Sequence, residues 1–180
     1  MNSIDRQLPA PAVGGELGGS IDPYTSGEED EAAMRSLCRD LVESGFAKTG
    51  EIVGCTADEV AEVVATAPDA FPIPDEYLAF LTVLGKSAGT FFVGTDLFYP
   101  SLLEANEAAA DISSGPGEDL PLSDRFFFGH HQGYKVYFFE RNSEAVSTYQ
   151  EGHPAVQRLA SSFLEFLRQA FEIQQNVRGA

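Results

Sequence analysis

Apolar positions recur three and four residues apart through the first half of the chain and give way to runs of aromatic and β-branched residues in the second. In EEDEAAMRSLCRDLVESG, Met34, Leu37, Cys38 and Leu41 share one helical face. Acids fill the first turn, where the helix dipole favours them, and Gly45 stands where a helix can end. CTADEVAEVVATAP holds Thr56 and Glu59 at capping-box spacing, with Val60, Val63, Val64 and Ala67 as the apolar stripe and Pro68 as the stop. FPIPDEYLAFLTVLG predicts a third helix, with Pro74 at its first position, Asp75 and Glu76 near the positive end of the dipole, and Tyr77, Leu78, Leu81 and Leu84 on one face.

After Gly85 the period falls towards two. GTFFVGTDLFYP reads as one or two short strands, and SLLEANEAAADI as a short helix with Ser101 as cap and Glu104 completing a second capping box. SSGPGEDLPLSD is a loop by its Gly and Pro content. Residues 125–129, 134–139 and 145–149 read as three consecutive antiparallel strands, and SSFLEFLRQAFEIQ as a closing helix. Ser162 and Glu165 form its expected capping box, and Phe163, Phe166, Leu167 and Ala170 its buried stripe. This order predicts an α+β fold, an antiparallel sheet packed on one face against N-terminal helices and a C-terminal helix. Residues 1–27 are rich in Gly, Pro and Ser and are expected to form a flexible tail ahead of a single domain, 28–180.

Composition adds that the core needs no cross-links: 43% of residues are hydrophobic and 14 are phenylalanine. Cys38 and Cys55 make no zinc-binding pattern and suit a reducing compartment. The N-terminus lacks the features of a signal peptide, and no apolar run approaches the roughly 18 residues of a membrane span. A cytoplasmic protein is expected. Charge is the strongest compositional signal. The chain carries 28 acidic and 11 basic residues, and between Glu51 and Asp124 stand 14 acids and a single base, Lys86. Such a field repels nucleic acids and anionic lipid surfaces and attracts basic partners. Acidity that serves only solubility is the alternative.

Candidate chemistry is sparse. Cys55 precedes a helix whose dipole would favour a thiolate, which a small hydrolase could use, but no local signature pairs it with a base. Glu59 and Glu62, or Glu104 and Glu107, have the spacing of a carboxylate pair, yet capping and solvation account for them. Neither phosphate-loop motif nor a nucleophile elbow occurs. In DRFFFGHHQGYKVYFFE, His130 and His131 are adjacent, so a strand would point them to opposite faces. Residues 129–133 read as a five-residue hairpin loop, with both glycines supplying positive φ and both histidines exposed at the tip. No metal or cofactor is expected.

Taken in order, FPIPDEYLAFLTVLG, DLFYPSLLEAN, FFFGHHQGYKVYFF, VSTYQEG and LASSFLEFLRQA resemble the SUKH superfamily, bacterial immunity-type proteins and fungal regulators of cell-wall synthesis. The similarity spans roughly residues 52–171. It implies an α+β domain without catalytic apparatus that protects its cell by binding a cognate toxin, often a basic nuclease. An intracellular scaffold or regulator of the same fold is the alternative. The expected partner-binding residues are the acids Asp58, Glu59, Glu62, Asp69, Asp75 and Glu76, with Glu104 and Glu107.

Overall fold

The computed structural model describes residues 27–116 and 119–179. The tail expected over residues 1–27 lies outside them apart from Gly27, which stands at the start of the first helix. Among the described residues, helices α1 (Glu28–Glu43), α2 (Ala57–Val64) and α3 (Asp75–Leu84) come first, with the two-residue strands β1 (Ile52–Val53) and β2 (Ser87–Ala88) pairing antiparallel around them. Helix α4 (Ala105–Ser113) follows. The main sheet is then laid down in chain order as β3 (Arg125–His131), β4 (Lys135–Glu140), β5 (Val146–Gln150) and β6 (Gln157–Ala160), and α5 (Phe163–Gly179) closes the chain. All neighbours in that sheet are antiparallel. The α+β expectation holds.

Local signals place the first helices as read. Gly45 takes φ +73°, its N–H donates to the Val42 carbonyl at 3.1 Å, and the N–H of Phe46 reaches the Leu41 carbonyl at 2.9 Å. This is a Schellman closure of α1, and it delivers Phe46 to the core. Pro74 is the cap residue of α3 rather than its first helical position. Ser101 does not cap α4: Ser101–Glu104 forms a 3-10 turn with no side-chain cap bond, and α4 starts after it. At α5, Ser162 Oγ accepts from the Glu165 N–H at 3.3 Å, but Glu165 reaches back to the amide and hydroxyl of Ser161, one residue further than a capping box requires.

The sheet is covered on both faces, which corrects the one-sided arrangement read from the sequence. Phe126, Phe128, Tyr137, Phe139 and Val146 face the larger core with the apolar stripes of α1, α2, α3 and α5. Phe127, Val136, Phe138 and Tyr149 face the other way, against Ala105, Ala108, Ala109 and Ile112 of α4. Two-sided burial is why these strands are nearly unbroken apolar runs rather than alternating ones.

Residues 89–100 are turns, not strands. Gly89, Phe92 and Gly94 all have positive φ, and only Asp96 bridges to the sheet, exchanging two backbone hydrogen bonds with His130. The segment must send Phe91, Phe92 and Leu97 all into the larger core, which period-two alternation forbids. The fourth strand, QRLA, shows no apolar alternation and exists by pairing with β5.

Tyr77 is fully buried at the centre of the larger core, and its hydroxyl has no hydrogen-bond partner among the described residues. An unpartnered buried hydroxyl is costly, while the ring makes the contacts. Tyr77→Phe is therefore predicted to raise the unfolding free energy by about 1 kcal/mol in urea titration. A loss of about 1 kcal/mol would show that the hydroxyl is satisfied.

Candidate partner-binding surface

Helix α2 begins where Thr56 Oγ1 accepts from the Glu59 N–H at 3.3 Å and Glu59 Oε2 accepts from the Thr56 N–H at 2.8 Å, the capping box expected from the sequence. The other Glu59 oxygen lies 2.6 Å from Nζ of Lys86, the one base between Glu51 and Asp124. The Lys86 hydrogen bond, then the Thr56 amide, holds the Glu59 carboxyl below the usual carboxylate range. Glu62 accepts from the Tyr99 hydroxyl at 2.8 Å, which raises the tyrosine's pKa. Asn106 Nδ2 donates to the Thr66 carbonyl at 2.9 Å, tying the start of α4 to the end of α2. Exposed Asp58 and Glu62 thus belong to the same region as exposed Glu104 and Glu107.

Asp75 marks the second region. It lies on the lining of three recesses of about 480, 290 and 150 Å³. The largest also includes Asp69, the middle one Glu144, and the smallest Asp30, Glu76 and Glu144. Asp30 stands in the first turn of α1, Asp75 and Glu76 in that of α3, and Glu144 in the β4–β5 connection, so the fold gathers acids from three distant parts of the chain. Among the described residues no Lys or Arg side chain pairs with any of these carboxylates. Burial, then the charges of Glu76, Asp75 and Glu29, raise the Asp30 pKa. Glu76 is also structural: its Oε2 accepts from the Leu164 N–H at 2.7 Å and caps α5. Arg141 approaches Asp69 only at its carbonyl, at 3.2 Å, and pairs with Asp124 instead.

The structure therefore divides the eight expected residues. Glu59, Glu62 and Glu76 are engaged in contacts within the fold, whereas Asp58, Asp69, Asp75, Glu104 and Glu107 are exposed and unpaired among the described residues. Asp30 and Glu144 lie outside the sequence window from Glu51 to Asp124, and only the fold brings them to Asp75. Local sequence offers one signal, the acid-rich first turn that contains Asp30.

The other candidates change character. Cys55 is half-buried, and burial followed by the Glu59 charge pushes its thiol up to about 11, away from the thiolate that a helix start would favour. The histidines are not both at an exposed tip. β3 runs through His131, which pairs with Lys135, and leaves Gln132–Tyr134 as the loop. His130 is only 8% exposed, and neither ring nitrogen has a hydrogen-bond partner among the described residues; Asp96 Oδ2 lies 3.7 Å from Nδ1. His131 Nδ1 shares a hydrogen bond of 2.9 Å with Thr95 Oγ1. Gly133 supplies positive φ, but Gly129 instead makes room, since a Cβ there would sit 2.8 Å from Leu97 Cδ1. Among the described residues no group of three or more His, Cys, Asp or Glu is placed to hold a metal ion, and no helix is long and apolar enough to cross a membrane.

Neither a scan against protein-family models nor a search of curated proteins finds a match to the chain.

A carboxyl whose folded-state pKa is depressed contributes stability above its unfolded-state value, about 4.3 for Glu, and that stability is lost as pH falls through the folded-state value. Glu59→Gln is predicted to lower the thermal midpoint at neutral pH and to make its decline below about pH 4 shallower. An acid limb as steep as that of the unaltered protein would contradict the Glu59–Lys86 assignment.

Proposed function

We propose that the chain is a non-enzymatic protein-binding module that takes a basic partner against the acidic surface centred on Asp75. The observation that carries this reading is the convergence of Asp30, Asp69, Asp75 and Glu144 on linked recesses with no cation paired to them among the described residues. Like charges held together are unfavourable for folding, and after burial the charges of Glu76, Asp75 and Glu29 contribute to the raised Asp30 pKa; a cationic surface docking there relieves the repulsion. The SUKH-like motifs support a cognate toxin as the partner class and the cytoplasm as the place of action. A toxin that binds nucleic acid presents a basic surface of the complementary sign. Occlusion of that surface requires no catalytic group in this chain.

The test is co-expression with the product of the neighbouring gene, scored for rescue of growth and for a co-purifying complex. Asp69→Lys with Asp75→Lys is predicted to abolish rescue and weaken the complex at least about tenfold, while costing no more than about 1 kcal/mol of stability at the start of α3. Glu104→Lys with Glu107→Lys should weaken it less. Rescue without a complex, or affinity retained within about twofold by the first pair, would contradict the proposal.

A further inference from the structure

The larger core stays open at one end, where β4, β6, α5 and the turns around Phe92 surround a groove of about 290 Å³. Its walls are Phe92, Tyr137, Leu159, Phe166, Ala170 and Ile173. The stripe of α5 that begins in the core with Phe166 continues into solvent, leaving Ile173 63% exposed and Val177 exposed beyond it. Val93, next to Phe92 in the chain, is 76% exposed. Its position is enforced: Phe92 holds φ +60°, a conformation unfavourable for a bulky side chain. The Phe92 N–H donates to Gln174 Oε1 at 3.3 Å, and its ring stacks on Phe166 at 5.6 Å. Strained backbone thus fixes the loop to α5 at the place where large apolar side chains face water.

One cation lies in this groove. The chain has three lysines; Lys48 pairs with Glu51 at 3.9 Å and Lys86 with Glu59 at 2.6 Å. Lys135 has no carboxylate within ion-pair distance among the described residues, in a chain with 28 acids. Its ammonium lies 5.3 Å from the Tyr137 ring centroid, and burial alone, with no neighbouring charge, lowers its pKa. His131 pairs with it across the strands, and Thr95 lines the same end of the groove. A partly desolvated ammonium beside apolar walls is complementary to a carboxylate beside apolar groups. The volume is at the small end of the roughly 300–1,000 Å³ of pockets that enclose whole ligands, and suits one or two side chains.

We propose that this groove is a second recognition site, taking a short peptide segment of a partner protein in which a carboxylate adjoins one or two large apolar residues. The carboxylate sits on Lys135 and the apolar side chains lie between Phe92, Phe166 and Ile173. This chemistry is opposite in sign to that of the Asp75 surface, so the two sites select different segments and stand or fall separately.

The test pans a phage-displayed library of random heptapeptides on the full-length chain and measures synthetic copies of the enriched peptides by fluorescence polarisation. Beside basic peptides selected by the Asp75 surface, one class of enriched peptides is expected to carry Asp or Glu beside Leu, Ile, Met or Phe, and it is this class that reports on the groove. Its members should lose affinity at least about tenfold on Lys135→Met and on Ile173→Asp, and bind Asp75→Lys unchanged. Ile173 is exposed, so its variant keeps the test valid if Lys135→Met folds poorly. No enrichment of carboxylate-bearing peptides, or such peptides held equally by both groove variants, would overturn the proposal. So would self-association of the unaltered chain that Ile173→Asp abolishes, since the groove would then be a contact between two copies.

Discussion

The Tyr77 ring meets Phe80, Phe126, Phe128, Phe139 and Phe163 at centroid distances of 5.9, 5.5, 5.4, 5.7 and 5.1 Å. Those rings come from α3, β3, β4 and α5, so one side chain joins four elements that lie far apart in sequence. Aromatic pairs of this geometry contribute about 0.5–1.5 kcal/mol each beyond the area they bury, and the chain concentrates them at this point in the absence of any tryptophan. The PIPDEY segment is thus a packing element. Pro74 and Tyr77 are buried, and Pro72 and Asp75 within it are exposed.

With helices on both faces of the sheet, the described residues leave no broad sheet surface open, and the accessible chemistry lies at helix starts, connections and the open end beside α5. Acids at helix starts serve the dipole whether or not they bind anything. What separates Glu59 and Glu76 from Asp69 and Asp75 is use: the carboxylates of the first two accept hydrogen bonds that hold the fold, and those of the second two accept none among the described residues.

The features legible in the sequence are the ones that depend on near neighbours. The Thr56–Glu59 capping box, the Gly45 closure and the apolar stripes of α1, α2, α3 and α5 are local, and they suffice for the α+β class. What was illegible depends on pairing across long intervals. Glu76 caps a helix 88 residues away. QRLA becomes a strand because β5 offers it an edge. The histidines were misplaced because a register shift between Phe127 and Gly129 lets β3 continue to His131 and puts His130 opposite Val136, on the face covered by α4. The segment 89–100 has strand-like composition, yet three positive φ angles let it deliver its aromatics to one side.

The central claim is that the fold spends its aromatic residues on the core and leaves a one-signed acidic surface to capture a basic protein. Its most direct test is the association rate constant with the product of the neighbouring gene, followed by stopped flow across a salt series. The account predicts that the rate falls by at least about tenfold between about 20 and 500 mM salt while the dissociation rate changes little. An association rate independent of salt would contradict it.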